Sequence, residues 1–383
     1  MQFNFATAGR LIFDSGASAQ CGDHARSLGI RRLLLVTDKG IMAAGIAAPI
    51  IAALTEAGLA VAVFDNVSAD PPVSVIETAR DAAITHKADG VLGLGGGSAL
   101  DAAKLAALLA RSGEALADIY GLDQAQGPRL PLILIPTTAG TGSEVTPISI
   151  VTVGAEEKKG VVSPHLLPDI ALLDAALTLG LPPAVTAATG IDAMVHAIEA
   201  YTSVHKKNPI SDALATKALG LLSSGLPRAF ADGGDLGARS DALLGACLAG
   251  MAFANAPVAG VHALAYPIGA RFHVPHGVSN ALMLPAVLRF NLPKAGEHYA
   301  QLAEYICTDD EIGMAPGLQE AFILKLERYC IEMDVPRQLR QVGITRQDLD
   351  QLADDAMLQT RLLINNPRTV TRDDAFALYE TTL

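Results

Sequence analysis

Short, continuously apolar runs alternate with alanine-rich stretches through the first half of the chain. The runs over 32–37, 61–64, 90–94 and 132–135 have the length of strands buried on both faces. Between them, 45–58, 73–86 and 101–112 carry helical spacing. Strands alternating with helices predict an α/β domain with a mostly parallel sheet covered on both faces. From about Leu181 the strand-like runs stop, and helical patterns follow over 187–201, 211–223, 240–253 and 317–333. Two domains are expected: α/β over 1–180 and all-helical over 181–383. The boundary falls at the turn GLPP, 180–183. No repeat recurs at a fixed period and no segment is of low complexity.

Composition narrows the function. Half of the 383 residues are hydrophobic and 18% are charged, which suits a globular chain with room for two cores. A net charge of -12, with both signs scattered, argues against nucleic acid or an anionic membrane as partner. The start, MQFNFATAGRLIF, lacks the basic end and long apolar run of a signal peptide. The most apolar stretch, 41–54, is too short to span a bilayer and reads as an alanine-rich helix. Cys21, Cys247, Cys307 and Cys330 are far apart and form no CxxC pair, as expected of reduced thiols in a cytoplasmic protein. Aromatic residues make up only 4%, with no Trp, so a base- or sugar-stacking platform is not expected.

Two loops and one carboxylate point to a nucleotide. After the run at 90–94 comes GLGGGSALDAAK, 93–104. Glycines let the backbone approach a phosphate, and the following helix aims its unpaired N–H groups at the same anion. Ser98 stands where a third glycine of a standard dinucleotide motif would be; a tight strand-to-helix turn is the alternative. PTTAGTGSEVT, 136–146, follows the next run and offers Thr137, Thr138 and Thr141 hydroxyls to phosphate or ribose, or else to its own turn. Both loops belong to the carboxyl ends of strands, where ligands bind in open parallel sheets. Asp38, just after the run at 32–37, either accepts hydrogen bonds from an adenosine ribose and repels NADP, or is a surface turn residue.

The second half carries a different chemistry. In TGIDAMVHAIEAY, 189–201, Asp192 and His196 lie four residues apart on one helical face among apolar neighbours. A buried carboxylate beside an imidazole calls for a partner, and a cation serves. TGID also fits a capping box at a helix start, with His196 then a core histidine. GVHALAYPIGARFHVPHG, 260–277, holds His262, His273 and His276. Asp192, His196 and two of these three would suit Fe²⁺ or Zn²⁺ with one position left for a substrate oxygen.

These four segments, in this order, resemble the iron-containing (group III) alcohol dehydrogenases, whose members include lactaldehyde reductase and 1,3-propanediol dehydrogenase. The resemblance covers nearly the whole chain. It implies Asp192, His196, His262 and His276 as ligands of Fe²⁺, with Zn²⁺ the second candidate. It implies Gly95, Gly96, Gly97 and Ser98 around the pyrophosphate of NAD, with Asp101, Thr137, Thr138 and Thr141 nearby. Lys159 in EEKKG matches a cofactor-contacting lysine, and Asp38 the position linked to NAD preference. Two positions depart from the pattern. Tyr266 stands where close relatives have a further histidine, so Tyr266 and His273 are the candidates for proton transfer. Asp70 in ADPP, 69–72, stands where Asn is common. The expected activity is hydride transfer between an alcohol and NAD, or the reverse from an aldehyde. The expected assembly is a homodimer or larger homo-oligomer in the cytoplasm, without nucleic-acid or membrane partners. Glycerol dehydrogenase-like and maleylacetate reductase-like enzymes of the same fold are the alternatives, and the second would not need these four ligands.

Overall fold

The computed structural model describes residues 2–154 and 157–383. The chain divides into two compact units, Ala6–Gly180 and Leu181–Leu383 together with Met1–Phe5.

The first unit contains β1 (Arg10–Phe13), β2 (Arg32–Val36), β3 (Ala60–Phe64), β4 (Gly90–Gly95), β5 (Gly121–Leu122), β6 (Leu132–Pro136), β7 (Ile148–Val153), β8 (Glu157–Val162) and β9 (Ile170–Leu173). Six of them form one sheet in the order β1-β9-β6-β4-β2-β3, every neighbouring pair parallel. The helices are α1 (Cys21–Ser27), α2 (Lys39–Ala43), α3 (Ala47–Glu56), α4 (Val73–His86) and α5 (Gly97–Ser112). Side chains alternate along β2, and both faces are covered. Leu34 packs with Ile76 of α4 and Leu105 of α5, while Leu33 and Leu35 pack with Ile50 and Leu54 of α3. Burial on both faces is why these strands read as unbroken apolar runs. The stretch 41–54 is not one helix: Gly45, at φ +74°, separates α2 from α3. A second small sheet sets β8 antiparallel to β7 and parallel to β5.

The second unit is helical: α6 (Pro183–Thr202), α7 (Pro209–Ala231), α8 (Leu236–Asn255), α9 (Gly260–Phe272), α10 (His276–Ile306), α11 (Asp309–Met314), α12 (Leu318–Glu332), α13 (Leu349–Met357), α14 (Thr360–Leu363) and α15 (Arg372–Thr382). The histidine-rich segment is thus mostly helix, despite Pro267 in α9 and Pro285 and Pro293 in α10. A Cβ on Gly277 would lie 2.0 Å from the carbonyl oxygen of Ala188, so the first turn of α10 rests directly on α6. Among the described residues no single helix is long and apolar enough to cross a membrane.

Candidate metal centre and nucleotide loops

Three helices assemble the centre. Helix α6 has a proline in its first turn, where the ring's fixed φ suits a helix start. Thr189 lies inside this helix, its hydroxyl donating to the carbonyl of Val185 at 2.9 Å, so TGID is not a capping box. Asp192 and His196 face inward one turn apart, α9 brings His262, and α10 brings His276 at its first residue. One oxygen, Asp192 Oδ1, lies 3.8 Å from His196 Nε2, 3.8 Å from His262 Nε2 and 3.5 Å from His276 Nε2. All four ligand atoms fall within 4.8 Å of one another. Bonds of about 2.1 Å in a tetrahedron set neighbouring ligands roughly 3.4 Å apart, so the group fits a small divalent ion with modest contraction.

The centre is dry on one side and open on the other. The side chains of Asp192, His196 and His262 are at most 6% exposed, but that of His276 is 36% exposed. His196 is stacked between Phe253 at 4.3 Å and His262 at 4.9 Å. The ring of Tyr266 lies 5.5 Å from that of His276, on the more open side. Burial pushes the Asp192 carboxyl up, but His196, His276 and His262, with a hydrogen bond from Asn280, hold it below the usual carboxylate range. His273 is exposed and ends α9 in the left-handed conformation, φ +54°. Among the described residues it makes no hydrogen bond, ion pair or ring contact with the other three histidines or Tyr266.

Two buried neighbours of this centre, Glu199 and Asn280, escape sequence reasoning. Asn280 donates from Nδ2 to Asp192 Oδ1 at 2.6 Å, and that nitrogen lies 3.3 and 3.2 Å from Nε2 of His262 and His276. Glu199 lies 2.6 Å from His262 Nδ1. Helical spacing could have found both: Glu199 is seven residues after Asp192, and Asn280 four after His276.

In the first unit the predicted nucleotide residues gather at the carboxyl ends of adjacent strands β2, β4 and β6. Gly95 takes φ +146°, where a Cβ would meet Ala99 Cβ at 2.8 Å and Asp38 Oδ2 at 3.4 Å. Gly96 and Gly97 then open α5. Thr138 lies against Gly96 and Thr141 against Gly97, while the Thr137 amide N–H donates to the Gly95 carbonyl at 3.0 Å. Asp38 caps α2, accepting from the Ile41 amide at 3.0 Å with Oδ1. Asp101 is tied up structurally: it accepts from the Ser143 hydroxyl at 2.5 Å, the Ile150 amide at 2.9 Å and the fully buried Lys104 at 3.4 Å. Lys159 pairs with Glu157 and lies over the Tyr120 ring. The neighbouring Lys158 faces Asp70 at 2.7 Å, and the Asp70 amide donates to Ser98 Oγ at 3.3 Å. Successive strand residues point to opposite faces, so of the two lysines Lys158 turns toward the glycine loop.

The family described as iron-containing alcohol dehydrogenase matches residues 8–175, and the C-terminal part of the Fe-containing alcohol dehydrogenase family matches 186–383. The chain belongs to the iron-containing alcohol dehydrogenases. This alcohol dehydrogenase is 41% identical over 369 residues to Long-chain-alcohol dehydrogenase 1 of Geobacillus thermodenitrificans, a match covering 95% of this chain and 93% of that protein. Its fold superposes on a crystal structure of 1,3-propanediol oxidoreductase with a TM-score of 0.95 at 33% identity, over 100% of both chains. It superposes on sulfoacetaldehyde reductase from Bifidobacterium kashiwanohense, solved in complex with NAD⁺, with a TM-score of 0.89 at 28% identity, over 100% of this chain and 99% of that one. The enzyme is an oxidoreductase acting between alcohols and their carbonyl compounds.

Proposed function

We propose that this enzyme moves a hydride between a primary or secondary alcohol, or its aldehyde or ketone, and NAD(H), using one Fe²⁺ held by Asp192, His196, His262 and His276. The observation that carries this reading is the convergence of four ligand atoms from α6, α9 and α10 within 4.8 Å. A metal-free reductase of this fold would have no use for that set. Three nitrogens and one oxygen also suit Zn²⁺, which is the second candidate. Bound there, the metal supplies Lewis acidity toward the oxygen of the alcohol or carbonyl group.

The chain's own groups do the rest. The exposed edge of His276 marks the side from which substrate reaches the centre, and Tyr266 gives that side an aromatic wall. In the Ala6–Gly180 unit, the amides at the start of α5 and the glycines before it bind the pyrophosphate. Thr138 and Thr141 flank it, and Asp38 accepts from the ribose hydroxyls and repels a 2′-phosphate. Lys158 supplies the positive charge beside this loop. Asp101 positions the loop through Ser143 and Lys104. The NAD⁺ complex of the Bifidobacterium relative supports the cofactor. A homo-oligomer is supported by β1, an edge strand that leaves Leu11 and Phe13 exposed. Four unbridged thiols support a cytoplasmic setting.

The test is reconstitution. Metal-stripped enzyme should lose NADH formation with short alcohols, diols and hydroxy acids, and regain it with one equivalent of Fe²⁺ per chain under anaerobic conditions. Full turnover at zero measured metal would overturn the reading.

A further inference from the structure

We propose that Glu199 is a positioning residue that fixes the tautomer of His262, and so makes its Nε2 available to a metal. The inference rests on the four-ligand reading above. Glu199 lies on α6, three residues beyond His196, and is 3% exposed. Its two oxygens take three contacts. Oε1 accepts from the Val261 amide at 2.6 Å, and Oε2 accepts from the Ala259 amide at 2.9 Å and lies 2.6 Å from His262 Nδ1. The two amides belong to the start of α9, and Ala259, the residue just before that helix, provides no side-chain cap. Each oxygen of Glu199 already accepts a backbone N–H, so the carboxyl faces its donors as an acceptor, and the 2.6 Å contact places a hydrogen on Nδ1. In a neutral imidazole that leaves the lone pair on Nε2. Nε2 is the atom that faces Asp192, 3.8 Å away.

The same carboxylate therefore does two separable things. It receives orphan N–H groups at the start of α9, and it orients the imidazole carried by that helix. A glutamine cannot do both. If its oxygen takes the Oε1 place it keeps only the Val261 amide, and its NH₂ then faces the Ala259 N–H and Nδ1 and favours a hydrogen on Nε2, the wrong tautomer for a ligand. If its oxygen takes the Oε2 place, its NH₂ is set against the Val261 N–H at the start of α9. Asn366 offers a control, because its Oδ1 accepts from the Gly260 amide at 3.3 Å at the same helix start without touching His262.

The experiment is Co²⁺ affinity by chelator competition, with the visible absorption of bound Co²⁺ recorded, on full-length enzyme and the variants Glu199→Gln, Glu199→Asp and Asn366→Ala. Glu199→Gln should bind Co²⁺ about 10–100-fold more weakly, as loss of an outer carboxylate on a ligating histidine does. Its Co²⁺ spectrum should shift, and Glu199→Asp should recover part of the affinity. Asn366→Ala should lower the melting temperature and leave Co²⁺ affinity unchanged. Wild-type Co²⁺ affinity in a folded Glu199→Gln, or an equal loss of affinity in Asn366→Ala, would reduce Glu199 to a helix cap and overturn the proposal. Failure of the unmodified enzyme to bind Co²⁺ would instead overturn the four-ligand reading itself.

Discussion

The nucleotide loops of one unit and the metal centre of the other are built by opposite means. The loops are mostly main chain: glycines at the end of β4, amides at the start of α5, and small hydroxyl residues after β6. Their chemistry follows from leaving side chains out, so the backbone can be approached. The metal centre is all side chain, set on three helices packed closely enough to bring Asp192, His196, His262 and His276 together. Glycine serves both, differently. Gly95 adopts a dihedral that other residues avoid, whereas Gly277 has an ordinary helical place and is needed because Ala188 presses on it. One glycine turns the chain where a side chain could not follow; the other lets two helices close.

The largest expected effect separates the two outright. His262→Ala should abolish metal binding and turnover while NADH fluorescence titration gives an affinity close to wild type. A parallel collapse of NADH affinity would mean the two sites do not work as separate constructions. Next comes Gly277→Ala, whose new methyl meets the Ala188 carbonyl. Overpacking of this kind costs about 1–3 kcal/mol or more. Thermal unfolding should report that loss, and metal affinity should drop with it because His276 is the adjoining residue. Asp38→Gly acts on the other unit alone. Removing one charge near a 2′-phosphate at a surface is worth about 1–4 kcal/mol, so discrimination against NADP should shrink by tenfold or more. Steady-state kinetics with both cofactors would show it, and comparable efficiencies in the unmodified enzyme would count against this role for Asp38. The smallest effect is expected at His273. His273→Gln should leave metal content and the pH–rate profile unaltered and change stability by within about 0.5 kcal/mol. Loss of an inflection in the imidazole range would instead make His273 a proton relay.

The two constructions also differ in how plainly the sequence displays them. β2, β4 and β6 are buried on both faces, so their apolar runs stand out, and the loops proposed to bind nucleotide follow them directly. β1 was invisible because its four residues lie at a sheet edge and are mostly exposed. The β7–β8 hairpin was missed because polar residues such as Lys158 and Lys159 break its apolar pattern. In the helical unit, Pro267, Pro285 and Pro293 hid α9 and α10, although tertiary packing carries both helices through. The four residues proposed as ligands stand out as types and spacings, whereas Glu199 and Asn280 share the helical spacing but carry no signal of their own. Glu199 looks like any helical glutamate until the start of α9 is seen folded onto it. The choice between Lys158 and Lys159 depends on strand register, which a one-residue slip reverses.

The placement of His276 as the first residue of α10 bears on how the enzyme gains and loses its metal. Three of the proposed ligands sit inside α6 and α9, while the fourth belongs to a terminal turn, and terminal turns open more readily than helix interiors. Exchange would then be governed by the rate at which that turn unwinds. Release to a competing chelator should level off at a ceiling set by the protein, however much chelator is added. Pro275 and Gly277, which hold the turn in place, would set the lifetime of the loaded enzyme without ever contacting the ion.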